Sequence, residues 1–336
     1  MASQIRRIGF LLQPQFTNLG LALAVEPLSV GNWLSQHPVF SWAVLSADGQ
    51  PVQASNGMTI PVDGSISSDD EFNAVFVIAS FESKKHAHNA RAKNWLRRLA
   101  RFGVELGGIE TGSELLAAAG LLDGHSVAVH WENFDGFQEL YPEIRATKQL
   151  YTIEPGRLTC AGATAVLDMM LTWIGHTVGP ELARDVGEQL LKESIRAPSR
   201  GQETIIDGAG IANQPVRKAI EFMQRALDEP LACDEIAERV GLSRRQLERH
   251  FQQQLGVSPL KHYMSLRLAK AHQLLQQTDL PVTEIAITSG FGSPEHFSRL
   301  YRKTFGQSPS TDRLQAIDAP VMRLKGKRKP SQFETS

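Results

Sequence analysis

The stretch GGIETGSELLAAAGLLDG, residues 107–124, reads as a strand end, a sharp turn and a helix. That order lifts a nucleophile to the start of a helix, where the backbone dipole favours an anion. The residue at the tip is Glu110, neither serine nor cysteine. Carboxylate nucleophiles suit glycosyl or phosphoryl transfer, not amide hydrolysis. Cys160 lies far downstream in another strand and is not expected to stand in. Thr111 and Glu114 have capping-box spacing, which would start the helix without any functional role. Glu26, Glu110 and Glu132 are acidic, and Trp131 beside His130 offers an aromatic face. Acidic and aromatic groups together suit a cationic ligand. Neither a metal nor a cofactor is expected.

A second set of residues suits a polyanion. Arg244, Arg245, Glu248 and Arg249 occupy one side of a helix whose other side carries Leu247 and Phe251. Arginine can take the O6/N7 edge of guanine with two hydrogen bonds, worth about 1–3 kcal/mol of discrimination. Later, Glu295, His296 and Arg299 flank the core pair Phe297 and Tyr301, and Arg302 and Lys303 are phosphate candidates. These two helices belong to an internal repeat. LACDEIAERVGLSRRQLERHFQQQLGVSP begins at Leu231 and LPVTEIAITSGFGSPEHFSRLYRKTFGQSP at Leu280. Each copy has a short helix with a small residue at the crossing (Ala237, Ala286), a glycine to end it (Gly241, Gly290) and a capped second helix. Ser243 with Gln246 forms a capping box, and Ser293 before Pro294 an N-cap with proline at the first helical position. SPLKHYMSLRLAKAHQLLQQ, residues 258–277, is the long helix that holds the units apart.

Positioning these groups takes two domains, as 336 residues allow. Residues 1–193 alternate strand-like and helix-like stretches, among them IRRIGFLLQP, LALAVEPLSVGNWLSQ, FNAVFVIAS and VELGGI. Such alternation predicts a doubly wound α/β sheet. Residues 194–212 read as a linker, 213–316 as an all-α domain and 317–336 as a basic, disordered tail containing RLKGKRKP. The net charge of −1 hides an asymmetry: from Asn213 onward there are 19 Lys+Arg against 13 Asp+Glu. A basic half joined to an acidic half suggests contact with a polyanion. Two cysteines in different halves argue against a disulfide framework, and no run is long enough to span a bilayer. A cytoplasmic protein without membrane contact is expected.

The repeat, with GFGSPEHFSRLYRKTFGQSP its most specific part, resembles the AraC/XylS family of bacterial transcription regulators over residues 213–316. The resemblance implies two helix-turn-helix units that place recognition helices in successive major grooves about 34 Å apart. It also implies promoter DNA and RNA polymerase as partners, activation as the habit, and bases facing Arg245, Glu248 and Arg249. ETGSELLAAAGLLDGHSVAVHW resembles the PfpI-type, class I glutamine-amidotransferase-like fold, of flavodoxin-like architecture, over residues 5–193. Catalytic relatives carry cysteine at the position of Glu110, with histidine and glutamate at those of His130 and Glu26. This chain lacks the nucleophile, so the expectation is a ligand-binding pocket formed by Glu26, Glu110, Thr111, His130, Trp131 and Glu132. AraC-type regulators with such a domain are associated with choline, glycine betaine, carnitine or arginine, implying an amino-acid-like or quaternary amine effector. Homodimerisation through residues 1–193 follows from fold analogy. Two other readings stay open: a hydrolase or amidase with an appended DNA-binding domain, and a constitutive DNA-binding protein whose first domain is structural.

Overall fold

The computed structural model describes residues 5–67, 71–80, 88–202 and 213–318. In chain order its strands are β1 (Arg6–Leu12), β2 (Phe40–Ser46), β3 (Val52–Gln53), β4 (Thr59–Ile60), β5 (Gly64–Ser65), β6 (Ala74–Ile78), β7 (Glu105–Ile109), β8 (Ser126–Ala128), β9 (Arg145–Thr147), β10 (Tyr151–Glu154) and β11 (Arg157–Cys160). Seven of them form one sheet in the order β10-β11-β7-β6-β1-β2-β5. Every pairing in it is parallel except β10 with β11. The helices of this half are α1 (Asn18–Ser35), α2 (Ala90–Arg101), α3 (Gly112–Ala118), α4 (Phe134–Leu140), α5 (Ala165–Thr177) and α6 (Pro180–Gln189).

Alternate side chains of the central strands feed two cores. Phe10, Phe76 and Ile78 pack with α1 and α5 residues such as Ala24, Val166 and Trp173 on one face. Leu11, Val75 and Val77 pack with Leu96, Leu99 and Leu116 on the other. Helices on both faces explain why FNAVFVIAS is apolar throughout and not alternating. The expected doubly wound α/β architecture is present. Its strand order reverses between β1 and β6, and sheets of this kind hold ligands beyond the carboxyl ends of their strands.

The second half is helical: α7 (Gln214–Arg225), α8 (Cys233–Arg239), α9 (Arg244–Leu255), α10 (Pro259–Gln277), α11 (Val282–Thr288), α12 (Pro294–Phe305) and α13 (Pro309–Asp318). The predicted caps form. The Ser243 hydroxyl accepts from the Gln246 N–H while the Gln246 side chain accepts from the Ser243 N–H, and Ser293 caps α12 through the His296 N–H. Gly241 and Gly290 both take positive φ, +71° and +76°. Each unit has its own core, and α10 serves both. Tyr263 and Leu266 enter the first, with Leu247 and Phe251. Leu268, Ala271, Leu274 and Leu275 enter the second, with Phe297 and Tyr301. Nineteen residues of helix, about 28 Å at 1.5 Å rise per residue, therefore set the spacing between the units.

Residues 196–202 lie against the sheet of the first half. The Arg196 carbonyl accepts from the Tyr151 hydroxyl at 2.7 Å, and the Arg200 carbonyl accepts from the Leu150 N–H at 3.1 Å. The rest of the expected linker, 203–212, and the basic tail from 319 onward lie outside the described residues. Among the described residues no helix is long and apolar enough to cross a membrane.

Phe251 is fully buried in the core of the first unit. Phe251→Ala should destabilise the helical half by about 3–5 kcal/mol. Urea unfolding followed by circular dichroism checks this.

Candidate functional site

β7 ends at Ile109 and α3 begins at Gly112, so Glu110 and Thr111 make the whole turn. Glu110 holds φ at +54°, a left-handed conformation that glutamate rarely adopts. The turn is this tight because α3 presses on β6: a Cβ on Gly112 would lie 2.1 Å from the Val77 carbonyl oxygen. The expected capping box is absent. Thr111 makes no cap bond to α3; its hydroxyl donates to the Ser80 carbonyl at 2.6 Å, while the Ser113 hydroxyl donates to the Glu110 carbonyl at 3.0 Å. The strained elbow starts the helix in place of a cap, with Thr111 turned toward the end of β6.

The Glu110 carboxyl folds beneath the turn between β11 and α5. Its Oε1 accepts from the Ala163 N–H at 3.4 Å, and the side chains of Ser80 and Thr17 also hydrogen-bond to it. Only glycine fits at position 162, where φ is +100° and a Cβ would sit 2.0 Å from Glu110 Cγ. Burial raises the Glu110 pKa above its ordinary 4.5 and outweighs the lowering by Ser80, Ala163 and Thr17. Cys160 is nearer than its place in the sequence implied: β11 pairs with β7, and the Cys160 carbonyl accepts from the Glu110 N–H at 3.0 Å. Burial pushes its thiol up to about 12, so it stays protonated and is no nucleophile.

The six expected ligand residues do not converge. Glu26 is exposed on α1. The residue of that helix facing Glu110 is its N-cap Thr17, and nine residues of rise put Glu26 about 13 Å further along. Glu132 also points outward, 58% exposed, with its carboxylate 3.9 Å from His130. His130 and Trp131 do share a pocket of about 260 Å³ with Gly162, Thr164, Arg196 and Arg200. Their rings lie 5.4 Å apart. Burial holds the His130 pKa below its ordinary 6.5 against the opposing pull of Glu132. Its Nδ1 accepts from the Glu132 N–H at 3.3 Å, which assigns the proton to Nε2.

The pocket therefore has a basic wall, not the acidic one expected. The acids failed to gather because Glu26 and Glu132 lie on outward faces and Glu110 is covered by Gly162. Arg196 is committed to Asp168, a carboxylate 0% exposed that also meets Lys192 at 3.2 Å. Arg200 is exposed, and no ion pair of its guanidinium is found among the described residues. Gln202 completes the wall: its Oε1 accepts from the Trp131 N–H at 2.8 Å, and its Nε2 donates to the Val129 and Gln149 carbonyls. These residues had no signal in the sequence beyond linker composition. Ser80 could have been found as the residue just past the carboxyl end of β6.

In the helical half every predicted contact residue is exposed: Arg244, Arg245, Glu248 and Arg249 on α9, and Glu295, His296, Arg299, Arg302 and Lys303 on α12. Local pairing divides the first set. Arg244 meets Asp234 and Glu248, both at 3.1 Å, which occupies Arg244 and Glu248 with each other. Arg245 and Arg249 form no ion pair found among the described residues and sit one turn apart, a geometry suited to base edges. On α12, the Ser293 hydroxyl donates to Glu295 at 2.6 Å and keeps its carboxyl below the ordinary 4.5.

Two predictions follow from these placements. A raised carboxyl pKa means that ionised Glu110 costs stability, a cost absent below the unfolded value near 4.5 and present above the folded one. Glu110→Gln should raise the melting temperature at about pH 8, and the gain should vanish by about pH 4; thermal denaturation across pH reads both. Arg249→Ala should relax base preference at one operator position, costing about 1–3 kcal/mol there, while Lys303→Ala should weaken all sequences alike and lower the salt slope by about 1. Binding titrations on a selected operator and its single-base variants, at several salt concentrations, separate the two.

The comparisons with known proteins agree with this division. Residues 6–176 match the DJ-1/PfpI family, and residues 236–315 match a helix-turn-helix domain family. The HTH-type transcriptional regulator CdhR of Pseudomonas aeruginosa is 45% identical over 314 residues, 93% of each chain. GbdR, an HTH-type transcriptional regulator of the same species, is 39% identical over 94% of this chain and 87% of its own. The crystal structure of an AraC family transcriptional regulator from Pseudomonas putida superposes with a TM-score of 0.50 at 26% identity, covering 55% of this chain and 99% of that one. With an AraC-type pair of helix-turn-helix units behind an α/β domain whose nucleophile position holds a glutamate, the chain belongs to the family of HTH-type transcriptional regulators that join a DJ-1/PfpI domain to an AraC-type DNA-binding domain.

Proposed function

We propose that this regulator is controlled by a small zwitterionic metabolite held in the pocket beside Glu110, and that it does not turn its ligand over. The pocket wall carries the reading: it is lined by Arg200, His130 and Trp131, with no lining carboxylate among the described residues. A ligand carboxylate would meet Arg200 in a charge-assisted pair. Its ammonium or quaternary amine would lie over the Trp131 face. At about 260 Å³ the pocket is below the range of about 300–1,000 Å³ typical of drug-sized ligands, which favours a metabolite of amino-acid size. The elbow carries a carboxylate, which does not suit attack on an amide and is covered by Gly162, and the neighbouring Cys160 thiol is fully buried.

The remaining parts of the reading follow the family. The protein would work in the cytoplasm at promoter DNA, activate with RNA polymerase, and pair with a second copy through its α/β domain. A ligand shifts the DNA-binding equilibrium only by its difference in affinity for two arrangements of the protein.

The test is a thermal-shift and operator-binding panel of glycine betaine, carnitine, arginine and choline. The zwitterions or amino acids should stabilise the α/β domain and change operator affinity, while choline, lacking a carboxylate, should not. Arg200→Ala should raise the ligand Kd at least about tenfold without altering DNA binding in its absence, matching the loss of one charged hydrogen bond. Stabilisation by choline alone, or amide hydrolysis by the wild type, would overturn the proposal.

A further inference from the structure

The last residue of the spacer helix α10 reaches into the other half of the molecule. Gln277 Nε2 donates to the Glu132 carbonyl at 2.9 Å and to Asn133 Oδ1 at 2.7 Å. Around this contact α10 packs on α4. The approach is close: a Cβ at position 136 would lie 2.4 Å from Gln277 Oε1 and would displace that side chain. The residues that receive Gln277 directly follow His130 and Trp131, two walls of the pocket. The same short loop is held from its other side by the Gln202 amide, which bonds the Trp131 N–H and the Val129 carbonyl. Residues 129–133 are thus clamped between two glutamine amides. One belongs to the segment leaving the α/β domain, the other to the helix that spaces the two helix-turn-helix units.

The clamp is not fully satisfied. Among the described residues Gln277 Oε1 is buried without a hydrogen-bond partner. A buried acceptor left unpaired offsets part of what the two Nε2 bonds contribute, and a contact weakened in this way is one that a small ligand could move. The recognition residues of α9 and α12 remain exposed in the docked arrangement. Docking therefore does not mask them; it fixes where the reading surface points relative to the α/β domain.

We propose that the loop 129–133 and Gln277 form a latch through which occupancy of the His130–Trp131 pocket sets the position of the DNA-binding units. This rests on the effector pocket described above. A ligand seated against Trp131 bears on the loop that receives Gln277, so pocket and operator share one coupling free energy, and the coupling runs in both directions.

Two variants on opposite sides of the contact test it in the full-length chain. Gly136→Ala adds a methyl group where Gln277 packs and favours the α4 helix itself. Gln277→Glu sets a carboxylate against two acceptor oxygens. Amide hydrogen exchange across residues 129–140 should become several-fold faster in both, with the melting temperature of each domain retained. Reporter output from a selected operator, with no amine added, should differ from wild type at least about threefold and in the same direction for both. If exchange at 129–140 is unchanged in both variants, the halves do not dock in solution and the latch is wrong. If exchange quickens but output stays at the wild-type level, the contact is structural only and the latch is again wrong. These readouts need no ligand. Failure of the amine panel would count against the effector class alone, and failure of the exchange and reporter results against the latch alone.

Discussion

A single buried carboxylate holds one wall of the His130–Trp131 pocket in place. Asp168, in the first turn of α5 and 0% exposed, accepts from the Arg196 backbone N–H at 2.7 Å and its guanidinium at 2.6 Å, and meets Lys192 at 3.2 Å. Breaking such a pair from one side leaves an uncompensated buried charge, costing about 3–5 kcal/mol. Because Asp168 pins residues 192 and 196, the chain beyond them is laid along residues 148–150, just before β10, where Arg200 and Gln202 become pocket walls. Without that anchor the segment would be the loose connector its composition suggests.

The elbow at Glu110 joins a strand to a helix through a left-handed residue that carries a carboxylate. Close packing of α3 on β6 enforces the positive φ whatever side chain follows. Glutamate fills the space by folding under Gly162 and bonding Ala163, which ties the β7 turn to the β11 turn. The carboxyl thus adds a side-chain link between two strand ends that the backbone already pairs. Arg200, not Glu110, then presents the pocket's exposed charge.

In the helical half the repeat is physical as well as textual. Each unit needs a small residue where its helices cross, a glycine to end the first and a side-chain cap to start the second, and both copies supply all three. Joining their cores through one helix makes the spacing a property of helix rise, not of loop conformation. That helix also carries Gln277, so the element that sets the distance between reading surfaces is the one that touches the pocket loop.

The sequence alone determined what depends on local periodicity and capping: the alternation that builds the α/β sheet, the boundaries of α9, α10 and α12, the caps at Ser243 and Ser293, and the outward faces bearing Arg245 and Arg249. These follow from neighbours three or four positions apart, which a sequence displays directly. Only the tertiary structure decided which side chains meet. Thr17 and not Glu26 faces Glu110, because rotation and rise along α1 carry Glu26 away. Cys160 lies beside the elbow because β11 and β7 pair across a long sequence gap. Arg196, Arg200 and Gln202 form a wall because a distant aspartate holds them there. Contacts of this kind arise from burial and strand order, which act between residues far apart in the chain and leave no spacing pattern to read.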